Sequence, residues 1–99
     1  MNVLEETKFL MKKYKIKANK SLGQNFLIDD NVIEDIVNGA NIQNNDLVIE
    51  IGPGLGSMTA LLVQKAKKVI CIELDTKMIQ ILNDRFIAYN NIELINDDV

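Results

Sequence analysis

The junction between Asp46-Leu47-Val48-Ile49-Glu50-Ile51 and Gly52-Pro53-Gly54-Leu55-Gly56 restricts the possible folds more than any other stretch of the chain. The first segment is short, nearly continuously apolar and rich in β-branched residues, which predicts a strand buried on both faces. Behind the glycines, Met58, Leu61, Leu62 and Ala66 recur at helical spacing, and Lys65, Lys67 and Lys68 suit the negative end of that helix. The pattern then repeats. Val69-Ile70-Cys71-Ile72-Glu73-Leu74 predicts a second strand, and Asp75 caps a helix built on Met78, Ile79, Leu82 and Phe86. Ile92-Glu93-Leu94-Ile95 starts a third strand. Strands joined by helix-length connections pair in parallel, so the fold class is α/β with right-handed crossovers.

Two helices precede this unit. Val3, Leu4, Leu10, Met11 and Tyr14 give a narrow stripe over about Leu4–Tyr14. Val32, Ile33, Ile36 and Val37 give a second stripe, capped by Asp29 or Asp30 and stopped at Gly39. Between them, Ser21-Leu22-Gly23-Gln24-Asn25-Phe26-Leu27 breaks the periodicity and reads as a structured loop, with Lys15–Lys20 as the flexible hinge.

Charge divides the chain. Residues 1–20 hold six lysines against Glu5 and Glu6, a balance of +4, whereas residues 21–99 sum to −7. The basic segment is either a solvated amphipathic face or an arm that meets a polyanion. One cysteine and no histidine exclude an intrachain disulfide, the usual zinc sites and the Ser-His and Cys-His hydrolases. Cys71, in mid-strand, reads as a small buried hydrophobe. No apolar run approaches the roughly 20 residues that span a bilayer and no secretory core is present, which makes the cytoplasm the expected compartment, with no membrane partner and no metal.

A glycine turn at the carboxyl end of a buried parallel strand brings backbone close to a ligand. The dinucleotide pattern Gly-x-Gly-x-x-Gly would place its third glycine at Ser57, and the phosphate-binding loop would need a lysine that this turn lacks. A nucleotide-dependent oxidoreductase is therefore disfavoured. Glu50, two residues before Gly52, would repel a pyrophosphate and favour an ammonium or sulfonium. Glu73 closes the second strand, where a carboxylate can accept both ribose hydroxyls. Asp98 follows the third strand, where a carboxylate can accept from an adenine amino group. Together these acids fit a cationic nucleoside. Asp75 reads as a helix cap and Asp97 as solvated.

Glu50-Ile51-Gly52-Pro53-Gly54-Leu55-Gly56-Ser57-Met58-Thr59 followed by Ile72-Glu73-Leu74-Asp75 closely resembles motifs of the S-adenosylmethionine-dependent ribosomal RNA adenine dimethyltransferases, and the Gly23-Gln24-Asn25-Phe26-Leu27 loop strengthens the likeness. The resemblance covers about residues 17–99. It implies a Rossmann-like class I methyltransferase fold, of which this chain would be the amino-terminal part: a basic helix or arm over 1–20, then the first part of the cofactor domain over 21–99. It also implies cofactor contacts at Asn25, Leu27, Gly52, Gly54, Glu73 and Asp98, with Glu50 near the methionine amino group. The family's catalytic Asn-Leu-Pro-Tyr motif is expected downstream of Val99, so the chain alone is expected to be inactive. Gly-Pro-Gly-Leu-Gly is similar to the housekeeping branch, which dimethylates two adjacent adenosines near the 3′ end of small-subunit ribosomal RNA. The alternatives are the macrolide-resistance branch acting on large-subunit RNA and a non-catalytic ribosome assembly factor. The implied partner is small-subunit RNA or its precursor particle, and the partial sheet leaves self-association as a further expectation.

Overall fold

The computed structural model describes residues 2–16 and 29–99. Its elements are α1 (Val3–Lys13), α2 (Asp30–Gly39), β1 (Leu47–Ile51), α3 (Thr59–Lys65), β2 (Lys68–Ile72), α4 (Thr76–Arg85) and β3 (Ile92–Ile95). The loop carrying Asn25 and Leu27 lies outside the described residues. The three strands form a parallel sheet in the order β1-β2-β3, as the alternation of strand and helix predicts.

Local chemistry sets the helix ends. Asn2 caps α1 by accepting from the Glu5 amide at 2.8 Å, with Glu5 and Glu6 in the first turn and Lys12 and Lys13 in the last, so the charges oppose the helix dipole. Asp29 caps α2 through the amides of Asn31 and Val32, and Asp75 caps α4 through that of Lys77. Gly39 does not stop α2 from outside. It is the last helical residue, and Asn41 takes the left-handed conformation (φ 50°) that a short polar side chain tolerates.

Register fixes the two faces of the sheet. Val48, Val69 and Ile92 align across it, as do Glu50, Cys71 and Leu94, and this face is covered by helices. Val37 of α2, Leu62 and Val63 of α3, and Leu82 and Phe86 of and beside α4 complete that core. Each fully buried aliphatic or aromatic side chain there stabilises by about 1.5–3 kcal/mol. A second, smaller core joins Leu10 of α1 to Leu55, Met78 and Ile81. Helix α1 is thus packed onto α4 and the glycine turn, with Lys8, Lys12 and Lys13 outward.

The opposite face departs from expectation. β1 is not buried on both sides: Leu47, Ile49 and Ile51 are 59%, 57% and 62% exposed, and Ile95 beside β2 is also exposed. All the described helices that reach the sheet pack on the Val48–Val69 face, which leaves the alternate residues in solvent. α2 is likewise half-committed, with Ile33 and Val37 buried while Val32 and Ile36 face outward. A groove of about 570 Å³ runs along the edge of β1 that no described strand pairs, between Ile36 and Val37 on one side and Leu47–Ile51 on the other.

Candidate functional site

Parallel pairing brings the carboxyl ends of the strands side by side, since Ile51, Ile72 and Ile95 share one register line. The residues that follow each strand therefore converge. After β1, Gly52, Gly54 and Gly56 adopt φ values of 66°, 61° and 90°, the left-handed region that side chains rarely enter. The Gly52 amide donates to the Ile72 carbonyl at 2.9 Å, which ties the start of the turn to the end of β2. A Cβ added at Gly52 would meet nothing within 4 Å, so this position opens onto free space. Gly56 is different: a Cβ there would lie 2.7 Å from Phe86 Cε2 and 2.9 Å from Leu82 Cδ2. The first glycine leaves room for a ligand, and the last lets α4 approach the turn.

Glu73 sits at the centre of this arrangement and is 5% exposed. Its Oε1 accepts the Gly54 amide at 3.1 Å and its Oε2 accepts the Asp75 amide at 2.9 Å. Each carboxylate oxygen has a second lone pair, so both remain able to accept a ligand hydroxyl. The carboxylate thereby joins the glycine turn to the start of α4.

Glu50 lies on the helix-covered face. Its Oε1 accepts from the Thr59 hydroxyl at 2.5 Å, and the Cys71 thiol lies 3.7 Å from the same oxygen. Thr59 is the first residue of α3 and fully buried, so this bond fastens the end of β1 to the helix that follows the turn. Burial raises the Glu50 carboxyl above its ordinary value of 4.5, partly countered by these two donors. Burial, reinforced by the negative charge of Glu50, pushes the Cys71 thiol up to about 12. Cys71 is therefore a neutral packing residue at physiological pH, as its mid-strand position predicts.

Asp98 lies in the exposed segment after β3, where its Oδ1 accepts the Val99 amide at 2.8 Å. Asn96 has a more structural place that the sequence reading missed. Its Nδ2 donates to the carbonyls of Glu73 at 3.0 Å and Leu74 at 3.1 Å, and its Oδ1 accepts from Thr76. The available signal was an amide side chain immediately after an apolar strand, a frequent place for side-chain to backbone bridging. The site thus gathers Gly52, Gly54, Glu50 and Glu73 around one turn, with Asp98 beyond the neighbouring strand. Among the described residues, no group of three or more His, Cys, Asp or Glu side chains is placed to hold a metal ion, and no helix is long and apolar enough to cross a membrane.

Comparison with known proteins places this geometry. The chain is 54% identical over 94 residues to the ribosomal RNA small subunit methyltransferase A of Alkaliphilus metalliredigens, and 53% identical over 92 residues to that of Clostridium botulinum. These alignments cover 95% and 93% of the chain but 33% and 34% of the relatives, so the chain spans about a third of their length. Among solved structures, a dimethyladenosine transferase from Plasmodium falciparum matches 76% of the chain and 28% of its own at a TM-score of 0.73 and 36% identity. The 23S rRNA methyltransferase ErmE matches 75% of the chain and 30% of its own at a TM-score of 0.71 and 34% identity. The fold is therefore that of the Rossmann-like methyltransferases, with three of their parallel strands present. Since the family model described as ribosomal RNA adenine dimethylase also matches residues 15–99, glycine turn and strand-end acids included, the chain belongs to that family.

Proposed function

We propose that this chain provides the S-adenosylmethionine-binding part of a small-subunit ribosomal RNA adenine N6-dimethyltransferase. The observation that carries the reading is the Gly52–Gly54 turn, open at Gly52 and bonded through the Gly54 amide to the buried Glu73. The residues present fit this cofactor. An acidic set at adjoining strand ends complements a cationic nucleoside and would repel a pyrophosphate. When bound, the cofactor supplies a methyl group already activated by its sulfonium charge.

Each residue then has a task. Glu73 holds the ribose with the two lone pairs left free by its backbone bonds, and is itself held in place by them. Gly52 lets the ligand reach the backbone. Glu50 provides negative charge beneath the turn for the methionine ammonium, directly or through water. Asp98 accepts from the adenine amino group, while Asn25 and Leu27, outside the described residues, cover the methionine end. The adenine N6 of the RNA is a weak nucleophile, so positioning matters more than a general base, and the target base must leave its stack. The Asn-Leu-Pro-Tyr sequence that would hold that amine does not occur in these 99 residues. The outward Lys8, Lys12 and Lys13 of α1 suit contact with RNA phosphates.

The Gly-Pro-Gly-Leu-Gly turn and the 53–54% identity to small subunit methyltransferases favour the small-subunit RNA over the large. Titration calorimetry tests the cofactor assignment: S-adenosylmethionine should bind and NAD should not. Replacing Glu73 by Ala removes the acceptor for two hydroxyls and two amides, and should weaken cofactor binding at least about tenfold. Unchanged affinity would rule out the ribose assignment. With radiolabelled cofactor and small-subunit particles, the chain by itself should show no substantial methyl transfer.

A further inference from the structure

Leu55 has no part in the cofactor reading, yet it is held firmly from both its side chain and its carbonyl. Its side chain is 2% exposed and packs with Leu10 of α1 and with Met78 and Ile81 of α4. Its carbonyl accepts a hydrogen bond from Arg85 Nη1 at 2.6 Å. The other arm of the same guanidinium, Nη2, is ion-paired with Glu6 of α1. One rigid fork thus joins the amino-terminal helix to the backbone of the glycine turn. The guanidinium carbon also lies 5.4 Å from the centroid of the Phe86 ring, whose edge fills the space beside Gly56.

We infer that Arg85 is a positioning residue for the cofactor turn, set by Glu6, so that the docking of α1 and the shape of Leu55–Gly56 depend on each other. The inference rests on reading Gly52–Gly56 as the cofactor turn. Geometry separates it from a simple surface ion pair. An exposed pair contributes little by itself, whereas this one is partly shielded and spends its second donor on a backbone carbonyl within the turn. Lysine, a point charge without the planar fork, could not reproduce both bonds with the same geometry. The docked helix places its outward lysines and the turn in one mechanical unit, so a polyanion held by α1 would also bear on the cofactor backbone.

The test uses the purified chain with three changes: Arg85→Gln, Glu6→Gln, and the charge-swapped pair Glu6→Arg with Arg85→Glu. Amide exchange at Gly54, Gly56 and Ser57 is read by NMR without ligand, beside S-adenosylmethionine affinity by calorimetry and thermal midpoint. Arg85→Gln should speed exchange at Gly56, whose amide donates to the Pro53 carbonyl, about tenfold over sheet amides such as Val69, and weaken the cofactor about five- to tenfold. Glu6→Gln should do the same to a smaller extent. The swapped pair should regain the thermal midpoint but neither the turn protection nor the affinity, because a carboxylate cannot donate to the Leu55 carbonyl. Recovery of all three by the swap, or unaltered exchange in Arg85→Gln, overturns the assignment. If the unmodified chain binds no S-adenosylmethionine, the cofactor reading fails, and the exchange pattern alone decides whether Arg85 positions the turn.

Discussion

Glu50 carries opposing demands. Burial favours its neutral form, while a cationic ligand would favour the carboxylate. Because its folded-state value is raised, its contribution to stability is fully present below 4.5 and is lost as pH rises through the raised value. Glu50→Gln should therefore flatten the pH dependence of stability across that window in urea titrations. Affinity for S-adenosylmethionine should run the other way, rising as Glu50 ionises, and that rise should vanish in the same variant. A variant that flattened stability and left the affinity profile unaltered would make Glu50 purely structural. Gly56 gives a second residue-level expectation. Gly56→Ala must accommodate φ of 90° and a Cβ 2.7 Å from Phe86, which should cost about 2–4 kcal/mol in chemical denaturation. The glycine spacing was visible in the sequence, but the different reasons for its members were not. Gly52 faces open space and Gly56 faces a ring thirty positions away, and no local pattern encodes that.

At the scale of elements, the three strands and four helices among the described residues were legible because their apolar periodicities are strong and their caps conventional. Asp29→Ala removes the acceptor for two amides at the start of α2 and should cost about 1 kcal/mol, measured as a shift in the urea midpoint. The errors are also physical. A continuous apolar run says that a strand can be buried on two sides, and cannot say that one side is left open, as in β1. α1 gave a narrow stripe in which Leu4 proved exposed and Thr7 buried, because the surface it meets is set by α4 and Leu55. The basic amino terminus read as a helix or arm, and over Val3–Lys13 it is a helix. That helix is docked through Leu10, the Glu6–Arg85 pair and a Tyr14 hydroxyl donating to Asp84 at 3.3 Å, which periodicity alone does not encode.

For the whole molecule, the order of burial matters more than the count of elements. Among the described residues, one sheet face is covered and the other presents Leu47, Ile49, Ile51 and Ile95 to water beside an edge of β1 that no described strand pairs. Contiguous apolar surface next to a free strand edge invites association. The chain by itself should show concentration-dependent self-association in sedimentation velocity, and Ile49→Lys, on the exposed face, should reduce it without a loss of cofactor affinity. A monomer at all concentrations would show that the open face is tolerated. Among the described strands, the one with the open side precedes the others in the chain, and β2 and β3 add in chain order on its other flank. On a translating ribosome, β1 therefore emerges before β2, the strand that pairs with it here. Neighbouring nascent chains on the same messenger meet during that interval with their β1 edges unclaimed, so the rate of elongation past this point becomes part of what determines the yield of folded protein.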